Sequence, residues 1–183
     1  MSLGIEKRGT SWFGRIIGAA RLDRHFYHEI SAGESALWQS FAVVALSSAA
    51  AGAGPFLRAG PVGFVAAFFS AVLSWLIWSY LAYFIGLKLL PESQTGPNFR
   101  GFMSAAGFSN APGIIRVLAI IPGLAGFSFL AATFWTIAAM ALAAGMALHY
   151  KSLLRGAAVS ILGWIGQAMI LGALVYLASK GGM

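Results

Sequence analysis

Hydrophobic residues run through this chain in long blocks. They do not alternate like a half-buried strand, nor form the one-sided stripe of a soluble surface helix. Five blocks stand out, at about residues 36–54, 62–87, 99–121, 127–148 and 157–178, separated by short polar or Gly/Pro-containing connections. An α-helix needs about 20 apolar residues to cross the hydrocarbon of a bilayer. The pattern therefore predicts an all-α integral membrane protein, with five transmembrane helices in a domain spanning residues 36–180. Residues 1–35 form a separate N-terminal segment. Within it Trp12, Phe13, Ile16 and Ile17 recur at helical spacing, and Arg15, Arg21, Asp23 and Arg24 fill the other turns. A helix of that kind suits the membrane interface, or a seat on the bundle or a partner. Ser31 followed by Glu34 reads as a capping box opening the first span.

The third block is interrupted. Pro112 inside Asn110-Ala-Pro-Gly113 removes the hydrogen bond to the carbonyl of Phe108 and clashes with the preceding turn, so the helix is expected to break there. In lipid the freed carbonyls need substitute partners, for which Ser109 and Asn110 are the candidates. The other blocks are expected to pack around this one. Arg116 follows about 25 Å along the span, near the far interface, where it snorkels to water or lines a cavity. Pro122-Gly123 ends the block. Small residues recur on the other spans, as Ala45/Ala49/Ala53 and Ser48/Gly52 on the first, Ala139/Ala143/Ala147 on the fourth, and Gly163, Gly166 and Gly172 on the fifth. Such spacing lets helices approach closely in lipid. The aromatic second span reads as lipid-facing surface with an interfacial belt.

Composition agrees. Of 183 residues 59% are hydrophobic and only 9% charged, where a soluble domain carries about a quarter. The formal net charge of +7 would suggest nucleic acid in a soluble protein. Here nine of the twelve basic residues fall on one side of a five-span layout: Lys7, Arg8, Arg15, Arg21, Arg24, Lys88, Arg100, Lys151 and Arg155. That asymmetry places the N-terminus in the cytoplasm and the C-terminus outside, and accounts for the basic charge without a nucleic-acid partner. There is no cysteine, which excludes disulfides and thiol chemistry. No apolar stretch precedes about residue 36, so no cleavable signal peptide is expected.

Chemistry-bearing residues are sparse. None of the five acids, Glu6, Asp23, Glu29, Glu34 and Glu92, lies within a predicted span, which argues against proton coupling and paired-carboxylate catalysis in the bilayer. His25 and His28 share a helix face and are weak metal candidates lacking an evident third ligand. His149, at the cytoplasmic end of the fourth span, is a weak candidate for a haem or pigment. No catalytic triad or phosphate-binding glycine loop is present. The expectation is therefore no enzyme, with no metal or cofactor beyond contacting lipids.

The chain also resembles a known family. Residues 20–31, reading ARLDRHFYHEIS, look like the entry to the bacterial branch of the Yip family, the Ypt/Rab-interacting membrane proteins. The likeness strengthens at Phe99–Gly113 (FRGFMSAAGFSNAPG), Ile121-Pro-Gly123 and Ala147–Ser152 (ALHYKS). The resemblance implies a five-span bundle with a cytoplasmic N-terminus, in the bacterial cytoplasmic membrane, and brings no catalytic residues with it. The expected function is a non-catalytic scaffold or accessory subunit that packs against other integral membrane subunits or organises lipids. The alternatives are a lipid- or small-molecule-translocating protein, with Pro112 and Arg116 on its path, and a pigment- or haem-contacting subunit.

Overall fold

The computed structural model describes residues 11–33, 36–93, 95–96 and 98–181, and these are helical with no strand. In order they form α1 (Trp12–Ala20), α2 (Arg24–Ala32), α3 (Leu37–Lys88), α4 (Phe99–Phe108), a 3-10 segment (Ala111–Ile120), α5 (Ala125–Ala147) and α6 (Leu153–Gly181). Three of these, α3, α5 and α6, are long and apolar enough to cross a membrane. The first two predicted spans lie together in α3. The third is divided between α4 and the 3-10 segment.

A straight helix of 52 residues would reach about 78 Å, far beyond any bilayer. α3 instead folds back on itself. Its helical geometry fails at Ala59 and at Gly60, where φ is 60° and ψ is −152°, a region that essentially only glycine occupies. The Phe41 and Trp75 rings come within 6.3 Å, and a Cβ placed on Gly52 would stand 2.8 Å from the Phe64 ring. Both pairs are symmetric about Arg58. The arms 37–58 and 61–88 are thus an antiparallel helical hairpin.

α4 and the start of the 3-10 segment occupy the middle. Phe102, Ser104–Phe108 and Ala111–Gly113 are buried. Trp78 stacks on Phe102 at 6.4 Å and Tyr83 meets Phe99 at 5.0 Å, which sets the second α3 arm antiparallel to α4. The first arm runs the other way. A Cβ on Gly107 would lie 2.6 Å from Cβ of Ser40, and the corresponding point on Gly54 lies 3.5 Å from Cβ of Ala119. Gly113 packs against the Ser47 hydroxyl between these two points. Ser40, Ser47 and Gly54 recur every seven residues and meet Gly107, Gly113 and Ala119, which recur every six. The registers match because seven α-helical residues rise about 10.5 Å, while six residues rise about 9 Å as α-helix and about 12 Å as 3-10 helix, and the stretch 107–119 passes from one to the other. Ala45, Ala49 and Ala53, the expected close-packing stripe, stay half-buried beside this seam.

On the other flank Gly156 of α6 meets Gly145 of α5, with a Cβ on Gly156 only 2.8 Å from the Gly145 nitrogen. Trp78 donates its indole N–H to the Ser160 carbonyl at 3.2 Å, and Gly163 packs on Trp78 and Ala82. Ala139, Ala143 and Ala147 are all buried. The N-terminal segment is two helices, not one, because α1 stops at Leu22 (φ 59°) and Asp23 caps α2 through the backbone N–H groups of His25 and Phe26. Ser31 is not the cap of α3. It is buried in α2, where its hydroxyl donates to the His28 carbonyl at 2.9 Å. Glu34 lies outside the described residues.

Two of the α6 glycines, Gly156 and Gly172, give opposite forecasts for one substitution. Gly156→Val forces α5 and α6 apart and should lower stability by about 1–3 kcal/mol. Gly172→Val, where no atom stands within 4 Å, should change it by less than about 0.5 kcal/mol. Reversible unfolding in mixed micelles, read by circular dichroism, measures both.

Candidate functional site

Among the described residues, side-chain hydrogen bonds concentrate at two places, the end of the bundle where α2, α4 and α6 meet the connecting loops, and the break between α4 and the 3-10 segment. At the first, Asn98 caps α4 by accepting from Gly101 N–H at 2.9 Å, while its amide donates to the Ser31 carbonyl at 2.9 Å. Gly101 is required there, since a Cβ would overlap that carbonyl. The loop after α3 then grips the hinge before α6. Glu92 pairs with Arg155 at 3.2 Å and accepts from the Lys151 N–H at 3.1 Å. The Tyr150 hydroxyl lies 3.1 Å from the Gly86 carbonyl and 2.8 Å from that of Leu90, and donates between them.

His149 holds a backbone role. Its φ is 57°, and the bonds His149 N–H to Met146 and Tyr150 N–H to Gly145 form the Schellman stop that ends α5. The three histidines do not gather. His25 is exposed on α2, and its backbone N–H donates to Asp23. His28 stands edge-on to His149, with ring centroids 6.0 Å apart. No group of three or more His, Cys, Asp or Glu side chains comes together among the described residues, and two imidazoles fall short of the three protein ligands usual at a zinc site.

At the break, α4 ends at Phe108, and Pro112 sits in the first turn of the 3-10 segment. The Ser109 hydroxyl donates to the Ala106 carbonyl at 2.8 Å, and the Asn110 amide donates to the same carbonyl at 2.9 Å. The carbonyls so engaged belong to the last turn of α4. In a 3-10 helix residues i and i+3 eclipse, so Gly113, Arg116 and Ala119 form one row facing the first arm of α3. A Cβ on Gly113 would stand 2.8 Å from Nη1 of Arg116. The missing side chain leaves room for the guanidinium. Pro122 and Gly123 (φ 85°) turn the chain into α5.

The four residues of the expected interfacial helix divide between two faces. Trp12 and Ile16 pack on the core, and Phe13 and Ile17 point away, exposed by 69% and 51%. Arg15 donates to the Gln39 side chain at 2.7 Å. α2 is drawn further in. The Tyr27 hydroxyl, fully buried, donates to the Ala19 carbonyl at 3.2 Å, and Phe26 meets Phe108 edge-on at 5.2 Å.

Reading the sequence singled out the break but missed Asn98, Tyr150 and the Ser40/Ser47/Gly54 row. Asn98 carries a local signal, a cap residue directly before a helix. The small-residue row has its seven-residue spacing. Nothing local marks Tyr150, whose partners lie about 60 residues away in the chain.

Burial, and after it the Glu92 carboxylate, raises the Tyr150 hydroxyl above its ordinary pKa, and burial raises that of Tyr27. A raised folded pKa means that the folded state holds its proton longer. The stability they contribute is therefore complete below about pH 10, the unfolded value, and declines as pH rises above it. Tyr150→Phe should cost about 1 kcal/mol at pH 7 by removing a hydrogen bond and should flatten the alkaline limb, leaving the Tyr27 share. Unfolding in micelles from pH 7 to pH 11 checks both.

Comparison of the chain with protein-family models, with curated proteins and with solved structures returned no match.

Proposed function

We propose that this protein is a non-catalytic, five-crossing membrane scaffold of Yip-like topology, which serves as an accessory subunit to other integral membrane proteins. The carrying observation is the C-terminal half of α6. Met169 and Val175 are each 70% exposed and Leu177 64%, and Gly172 has no atom near it. Every other long helix spends a small-residue face inside the bundle. This stretch has Gly172 left over, beyond the part of α6 that packs on α5 and on the second α3 arm. In lipid such a face gains by packing against another helix, because small residues allow the close contacts that replace a hydrophobic drive. The polar groups support the same reading. Asn98, Tyr150, Glu92 and Arg155 each tie one stretch of chain to another.

The crossing count rests on lengths. The α3 arms run about 33 and 42 Å, and α4 with the 3-10 segment about 35 Å, each sufficient for a bilayer core of about 30 Å. α5 and α6 supply the remaining two. The basic loops at residues 88–100 and 149–155 belong on the cytoplasmic side with the N-terminus, and the turn at Arg58–Gly60 belongs outside. The resemblance carried by Phe99–Gly113 and Ile121–Gly123 agrees with that arrangement.

Mild extraction followed by native mass spectrometry should show the protein in a stoichiometric complex with at least one other membrane protein. Recovery of the lone monomer alone would overturn the accessory role. Since the chain has no cysteine, single-cysteine variants report the topology. In intact cells a membrane-impermeant maleimide should label Ala59→Cys, and should label Ser93→Cys only after permeabilisation. The reverse pattern would invert the orientation, and equal labelling of both would end the five-crossing layout.

A further inference from the structure

The end of the bundle opposite the basic loops contains a cavity of about 620 Å³. Two arginines line it, Arg58 from the turn of the α3 hairpin and Arg116 from the 3-10 row. Neither makes a salt bridge among the described residues, where the pair formed is Glu92–Arg155. Among the described residues no carboxylate lines the cavity. Arg116 is held there by construction, because the 3-10 winding points it at the first α3 arm between the contacts made by Gly113 and Ala119. A guanidinium half-withdrawn from water beside a second cation is costly unless an anion joins them.

The opposing wall of the same cavity is the start of α5, where Ala125, Gly126 and Ser128 line it. That helix of 23 residues begins without a side-chain cap, so the first-turn N–H groups and the positive end of the helix dipole lie at the cavity. Gly126 leaves the approach open, since no atom stands within 4 Å of where its Cβ would be. Two guanidinium forks and a helix N-terminus around one space match a phosphate.

What adjoins the cavity separates a lipid from a free anion. A second cavity of about 490 Å³ shares Leu57 with the first, and is lined by Phe56, Pro61, Phe64, Val65 and Ile120. It contributes apolar surface alone, apart from backbone. A charged recess leading into an apolar groove at a membrane-facing end has the two-part character of a phospholipid. We propose that this site binds one anionic phospholipid, its phosphate between Arg58 and Arg116 at the α5 N-terminus and an acyl chain in the adjoining groove. The proposal rests on the chain spanning the membrane with this end at an interface, not on its having protein partners.

The test is native mass spectrometry of the full chain in detergent, titrated in parallel with short-chain phosphatidylglycerol, short-chain phosphatidylcholine and inorganic phosphate. One phosphatidylglycerol should be retained in preference to phosphatidylcholine. Arg116→Gln should weaken retention by about tenfold, the loss expected for one charge-assisted contact. Arg58→Gln, at an exposed turn where folding is not at stake, should weaken it comparably, and Lys180→Gln should leave it unchanged. Inorganic phosphate binding as tightly as the lipid would overturn the lipid assignment in favour of a free anion. Equal retention by wild type and Arg58→Gln would overturn the site itself, whether or not the protein is found with partners.

Discussion

The bundle depends on how closely the first arm of α3 approaches the broken central element. Ser40, Ser47 and Gly54 meet Gly107, Gly113 and Ala119 at distances that leave no room for another Cβ at either central glycine. Lipid provides no hydrophobic drive between helices, so association rests on dispersion and local hydrogen bonds, both of which demand near contact of backbones. Without this seam α4 could not sit between the α3 arms. The second arm, through Trp78 and Tyr83, then fills what remains with aromatic bulk.

The break in the central element belongs to the same constraint. A continuous α-helix over 99–121 would place Gly113, Arg116 and Ala119 about 60° out of line from one another. Winding as a 3-10 helix after Pro112 brings them into one row, so that two small residues contact α3 while the arginine between them reaches a cavity. At the junction Ser109 and Asn110 both donate to the Ala106 carbonyl, in the last turn of α4, and not to the Phe108 carbonyl expected from the sequence. Structure and charge placement are thereby coupled at one point of the chain.

The two ends of the bundle are held by different means. At one end polar side chains join elements far apart in sequence, as Asn98 does for α2 and α4 and Glu92 for the hinge before α6. At the other, the turns rely on backbone alone, with Gly60 and Gly123 in conformations of positive φ. There the charges of Arg58 and Arg116 are left without protein counter-ions among the described residues.

The sequence by itself determined the class of structure. Apolar block length and low charge point to helices long and apolar enough to cross a bilayer, because only helices or closed barrels satisfy their backbone in lipid. It also located the interruption at Pro112, since the loss of an N–H and the clash with the preceding turn are local effects. The tertiary structure decided what is not local. Which small-residue row forms the seam depended on the register between two elements, so Ser40/Ser47/Gly54 took the place that spacing alone assigned to Ala45/Ala49/Ala53. His149, a weak ligand candidate along the chain, takes a positive φ that makes it the stop of α5, a backbone role that depends on where the helix ends. The meeting of Arg58 and Arg116 was invisible along the chain, where 57 residues separate them; it arises because the α3 hairpin and the 3-10 segment end at the same level.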